Sequence, residues 1–108
     1  MKPHFAKLVT IITERVIEHE IIRELNALGA PGYTISDARG KGHRGIRDAG
    51  WEHGENIRVE VVCEDRLAQA IADVLRERYY ENYAMILFIS DVQVLRPEKF
   101  TGGKGESP

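Results

Sequence analysis

The chain is 108 residues long, the size of one small domain and too short for two. Hydrophobic residues make up 43% and charged residues 30%, a balance that supports a packed core and excludes wholesale disorder. Fifteen Lys+Arg against seventeen Asp+Glu leave a net charge of −2, which argues against a generic nucleic-acid or acidic-membrane binder, since both need basic surface.

The one cysteine, Cys63, excludes an internal disulfide framework and a multi-cysteine metal cluster. The longest apolar run, Ala84 to Ile89, falls far short of the roughly 20 residues that span a bilayer. Met1-Lys2-Pro3-His4 leads straight into a strand pattern without a signal-peptide layout, so a cytoplasmic location is expected.

Phe5 to Thr13 is dominated by β-branched residues and predicts a strand. Leu8 and Ile12 fall on one side, Val9 and Ile11 on the other, so both faces require burial. From Val16 to Leu28, Ile17, Ile21, Leu25 and Leu28 recur at helical spacing, with Glu18, Glu20, Arg23 and Glu24 opposite. Gly29 and Pro31-Gly32 stop this helix. Tyr33 to Ala38 predicts a short strand. Arg39 to Asn56 has neither period and carries Gly40, Gly42, Gly45, Gly50 and Gly54, which reads as one long loop. Ile57 to Cys63 predicts a strand with Ile57, Val59, Val61 and Cys63 facing one way, Arg58 and Glu60 the other. Asp65 is the expected N-cap of a second helix running to about Tyr80, with Leu67, Ile71, Val74, Leu75 and Tyr79 as its buried stripe. Met85 to Leu95 is the last strand. Residues 1–96 are thus expected to form one domain, and the Gly/Pro-rich residues 97–108 a flexible tail.

The order β-α-β-β-α-β predicts an α+β, ferredoxin-like fold: a four-stranded antiparallel sheet with both helices on one face. The last strand is apolar at both parities, with Met85, Leu87 and Ile89 on one side and Ile86 and Phe88 on the other. The helix-free face therefore needs a partner, and a homo-oligomer supplies one by symmetry.

Eighteen residues, 39–56, exceed the roughly 12–15 that structureless loops in compact domains usually reach, which marks the segment as functional or disordered. Arg39, Lys41, Arg44 and Arg47 give +4 over 39–47 with no acid among them. Glycines between cations suit an oxyanion: backbone N–H groups can turn toward it, Lys41 acts as a point charge, and Arg44 and Arg47 offer planar forks. From the residues alone, the alternative is a solvated hairpin loop whose cations keep it soluble. The segment is not a Walker A loop, because no Lys-[Ser/Thr] pair occurs and no helix follows.

Gly32-Tyr33-Thr34 followed by Gly40-Lys41-Gly42-His43-Arg44-Gly45-Ile46-Arg47 resembles the second strand and T-loop base of PII-like signalling proteins. The nearest subgroup is that of SbtB-type regulators and carboxysome-associated PII proteins. The similarity extends over Thr13-Glu14, Val59-Glu60-Val61, Ile71-Ala72-Asp73 and Tyr83-Ala84, and spans about residues 5–96. It implies a homotrimer that binds adenine nucleotides, AMP or ADP, in clefts between subunits and does no chemistry of its own. By position, Lys41, Arg44 and Arg47 would hold phosphates with the Gly40 and Gly42 backbone, and the main chain of Ala84, Met85, Ile86 and Leu87 would line the adenine pocket. The subgroup also implies sensitivity to bicarbonate, a T-loop at 39–56 ordered by ligand, and a partner in bicarbonate transport or carbon fixation. Two features depart from the pattern. The C-terminal residues contain no cysteine pair, and residues 39–56 contain no tyrosine for the modification known in nitrogen-sensing PII proteins.

Other readings are weaker. His43, Asp48, Glu52 and His53 match no compact metal motif. Cys63 reads as a small buried hydrophobe. Trp51, on the loop, suits packing, ligand stacking or partner docking. Tyr79, Tyr80 and Tyr83 read as packing residues. A ferredoxin-like RNA-binding module is the rival of a different class, but the Ile57–Cys63 strand has no aromatics for stacking bases. No Ser/His/Asp, Cys/His or paired-carboxylate grouping supports an enzyme.

Overall fold

Strand β1 runs from His4 to Glu14 and ends in a 3-10 turn, Arg15–Ile17, that leads into helix α1, Glu18–Leu28. Strand β2 is Thr34–Ala38 and β3 is Asn56–Cys63. Helix α2, Asp65–Tyr79, precedes β4, Met85–Val94. The computed structural model describes residues 4–41 and 55–96. The four strands form one antiparallel sheet in the order β2-β3-β1-β4, which is the predicted ferredoxin-like arrangement.

The core lies between one sheet face and the helices. Val9, Ile11, Ile57, Val59, Val61 and Cys63 of the sheet meet Ile17, Ile21, Leu25, Ala68, Ile71 and Leu75, all essentially without exposure. Each large aliphatic side chain buried there contributes on the order of 1.5–3 kcal/mol. The alternation read from β3 holds: Arg58 is exposed and Glu60 half-buried, while their odd-numbered neighbours are buried.

Helix α1 ends as its sequence requires. Gly29 adopts φ +82°, its N–H bonds the Asn26 carbonyl at 3.1 Å, and Ala30 N–H bonds the Leu25 carbonyl at 3.0 Å. This double bond pattern is a Schellman cap, and the left-handed residue it needs favours glycine.

Three local expectations are corrected. Val16 does not begin the α-helix; it stands 73% exposed in the 3-10 turn, while Ile17 beside it is buried. Anchoring Ile17 in the core tightens the backbone before regular α geometry starts at Glu18. Asp65 is the first helical residue rather than the cap. Glu64 takes the extended N-cap position without a side-chain cap bond, and Asp65 instead accepts a 3.5 Å bond from Gln69. Tyr33 precedes β2 and is 40% exposed.

Candidate functional site

The helix-free sheet face is ordered in rows by strand register. Ser36, Arg58, Ile12 and Ile86 lie side by side across all four strands, and Thr34, Glu60, Thr10 and Phe88 form the next row. A third row brings Val62, Leu8 and Ser90 together. The β1–β4 half is mainly apolar and the β2–β3 half polar. Ile86 and Phe88 are 45% and 43% exposed.

Two depressions open on this face. The first, about 360 Å³, is lined by Arg39, Gly40, Lys41 and Arg58 together with Asp37, Ile12 and Ile86. The second, about 380 Å³, is lined by Gly32, Tyr33 and Thr34 with Leu8, Glu60 and Val62. Arg58 Nε donates to Glu60 Oε2 at 3.3 Å, so the residue lining one depression is ion-paired to a residue lining the other. From Arg58 to Val62 is four strand steps, about 13 Å.

The first depression gathers three cations around a glycine. Its one acid among the described residues, Asp37, accepts a 2.7 Å bond from Arg15 Nη2, which leaves the described lining positive. Such a place suits an oxyanion. The second depression pairs apolar walls with an aromatic ring, a hydroxyl and a carboxylate, which suits a flat heterocycle carrying N–H or O–H donors.

The structure brings together part of the set expected from sequence. Gly40, Lys41 and Ile86 share the first depression. Met85 and Leu87 turn toward the core and pack against it. Ala84 is buried, and its main chain is occupied within the chain: its N–H donates to Glu14 Oε2 at 2.6 Å and its carbonyl accepts from Thr13 Oγ1 at 2.7 Å. Gly42, Arg44 and Arg47 lie outside the described residues, as do His43, Asp48, Trp51, Glu52 and His53 and the tail from 97 onward. Sequence reasoning missed Arg58. The signal was available in its parity on β3, opposite to the buried set, together with its position two residues past the loop.

Cys63 is buried in the core, and desolvation, reinforced by Asp65 and Glu64, pushes its thiol from 9.0 to about 11. A thiol so protonated is a packing group rather than a nucleophile. Among the described residues, no three His, Cys, Asp or Glu side chains are grouped to hold a metal ion, and no helix is long and apolar enough to cross a membrane. The central strands β1 and β3 place no Phe, Tyr or Trp on the open face, which disfavours an RNA-stacking sheet.

The family profile described as nitrogen regulatory protein P-II matches residues 6–99. A PII-like signalling protein from Thermus thermophilus is 44% identical, with 94% of this chain and 100% of that chain covered and a TM-score of 0.78. CPII, a nitrogen regulatory PII-like protein from Thiomonas intermedia, has been solved with ADP and bicarbonate. That structure is 26% identical, with 92% of this chain and 97% of that chain covered and a TM-score of 0.80. The same Thiomonas protein with ADP, AMP and bicarbonate is 26% identical over 93% of this chain and 97% of that chain, with a TM-score of 0.79.

Proposed function

The chain belongs to the nitrogen regulatory protein P-II family, and from that membership we propose that it is a trimeric sensor of adenine nucleotides. Proteins of the family are regulatory, and trimeric assembly is typical of them. The observation that carries the proposal is the pair of depressions on one sheet face: a cationic one at the foot of the 39–56 loop and an apolar one at Gly32–Thr34. They stand in line along the strands, as the phosphate and base ends of a mononucleotide do.

In this reading Lys41, Arg44 and Arg47, with the Gly40 and Gly42 backbone and with Arg58, hold the phosphates of AMP or ADP. The base lies toward Leu8, Tyr33 and Val62. The main chain of Met85, Ile86 and Leu87 meets the nucleotide of a neighbouring copy, since β4 is an edge strand whose outer N–H and C=O groups are open to it. Ala84, its main chain engaged, supports that strand rather than reading the base. The exposed Ile86 and Phe88 are covered by a neighbouring subunit.

The finer placement is in the SbtB-type, carboxysome-associated branch. The Thiomonas relative is described with bicarbonate as well as nucleotide, and a cationic pocket accepts either oxyanion. Nucleotide then orders the 39–56 T-loop, and the ordered loop presents a new surface to a bicarbonate transporter or a carbon-fixation component in the cytoplasm. The protein acts by binding, without catalysis.

A thermal-shift panel of AMP, ADP, ATP and cyclic AMP, with and without bicarbonate, tests this, because a ligand selective for the native state raises its apparent stability. AMP or ADP should raise the midpoint. A panel in which no adenylate shifts it removes the proposal.

A further inference from the structure

Three consecutive residues, where β1 passes into the 3-10 turn, reach in two directions. Toward β4, Thr13 Oγ1 donates to the Ala84 carbonyl at 2.7 Å, and Glu14 Oε2 accepts from the Ala84 N–H at 2.6 Å. Toward the 39–56 loop, Arg15 Nη2 donates to Asp37 on β2 at 2.7 Å, and Arg15 N–H donates to the carbonyl of Glu55, just before β3, at 2.9 Å. One short segment therefore holds the start of β4 and both stems of the loop.

The two ends differ in strength. Thr13 and Ala84 are buried at 0% and 1% exposure, so their bond is shielded from water and costly to break. The Arg15 and Asp37 side chains are 45% and 80% exposed. An ion pair of that kind contributes little and is screened by salt. The link is therefore shielded at β4, and at the loop it combines this exposed ion pair with the backbone bond from Arg15 to Glu55.

We propose that Thr13-Glu14-Arg15 is a positioning bracket that transmits displacement between the start of β4 and the stems of the 39–56 loop. Resting on the nucleotide reading above, it makes Arg15 the residue through which occupancy beside β4 is felt at Asp37 and Glu55. Arg15 also offsets the charge of Asp37, the one acid among the described residues that line the cationic depression. Arg15 does not line that depression itself, so its part is to position and neutralise rather than to bind.

Amide hydrogen exchange on the full chain tests the bracket, first without ligand. Arg15→Ala and Asp37→Asn should each speed exchange at the distant Ala84 amide by about twofold to fivefold, the range of one exposed ion pair. The double variant should match either single one. Exchange at Ala84 unchanged in both variants overturns the bracket, whatever the protein binds. A second arm adds ADP and follows emission of Trp51, the chain's one tryptophan. Calorimetric affinity in Arg15→Ala should stay within about fivefold of wild type while the Trp51 response to ADP is mostly lost. An intact response, or affinity and response abolished together, refutes the positioning role. Wild-type protein that binds no ADP removes the nucleotide reading, and the ligand-free arm still decides the bracket.

Discussion

Arg78 forks onto Glu24: its Nη1 lies 2.9 and 3.0 Å from the two carboxylate oxygens. The Tyr79 hydroxyl donates to the same carboxylate at 2.8 Å. Glu24 is on α1 and the other two are on α2, so one carboxylate fastens the two helices above the sheet. Its side chain is only 14% exposed, against 61% for Arg78. The tyrosine bond is the more shielded of the two, and the arginine adds mainly orientation.

Glu24→Gln keeps the shape and removes the charge. Charge-assisted bonds contribute about 1.5–3 kcal/mol where shielded and less where wet, so a loss of roughly 1–2 kcal/mol is expected in urea unfolding. The Tyr79 phenol, pushed up to about 12 by burial first and then by the bond to Glu24, should titrate lower in the variant. With four tyrosines in the chain, the difference between the ultraviolet titrations of wild type and Glu24→Gln isolates this group, and a zero difference would contradict the assigned bond.

Thr13→Val replaces the hydroxyl by a methyl of similar size and leaves the buried Ala84 carbonyl without its donor. An unsatisfied buried acceptor costs about 1–3 kcal/mol. Thr13→Ser keeps the donor and should cost less. Equal stability of the valine and serine variants in guanidinium unfolding would remove the bond from the account.

Cys63 sets a pH dependence. Its thiol is held near 11 in the folded chain against 9.0 as an ordinary value. The native state keeps its proton where the unfolded chain has lost it. The contribution is therefore complete below the unfolded value and is lost as pH rises toward 11. From pH 8 to pH 10 the expected loss is about 1 kcal/mol. Cys63→Ala should be less stable at both values because of its cavity, but with that slope removed. Chemical denaturation at the two pH values measures it; identical slopes would show that the thiol does not titrate this way.

Much of this fold is visible in the chain because each element has one dominant cause. Ile57, Val59, Val61 and Cys63 alternate with Arg58 and Glu60, and that period alone gives a strand with one buried face. Gly29 marks the end of α1 because only a left-handed residue fits there. The misread positions are those where a tertiary anchor overrides local pattern. Ile17 is drawn into the core and turns Val16 outward; Glu64 takes the cap from Asp65, a better capping residue by composition. The site divides in the same way. Gly40 and Lys41 announce themselves by composition, whereas Arg58 belongs to it only through strand register, which relates it to Ile12, Ser36 and Ile86. The two bonds to Ala84 depend on contacts 70 and 71 residues apart, which no local period carries.

Ile86 and Phe88 stand exposed in successive rows of the open face, and the proposed trimer buries them. Phe88→Asp places a charge where a neighbouring copy must pack, and charged groups without partners are strongly disfavoured at such an interface. Light scattering should give a mass near three chains for the wild type and a shift toward one for the variant. Far-ultraviolet circular dichroism should stay unchanged, since the side chain lies outside the core. A wild-type monomer would refute the assembly.

The nucleotide reading makes Arg44 and Arg58 unequal. Arg44, in the resemblance, grips phosphate directly, so Arg44→Ala should weaken ADP binding about 10- to 100-fold, as expected for one lost charge-assisted contact of about 1.5–3 kcal/mol. Arg58→Ala removes a cation from the first depression and also frees Glu60 from its 3.3 Å ion pair. The released carboxylate then stands between the two depressions, where an anionic ligand must cross it. The double variant Arg58→Ala/Glu60→Gln should therefore recover part of the affinity lost in Arg58→Ala alone, while Arg44→Ala combined with Glu60→Gln should show no such recovery. Calorimetry at low and high salt separates the outcomes, because the repulsion from Glu60 is screened as ionic strength rises. Recovery in neither double variant would place the ligand away from β3.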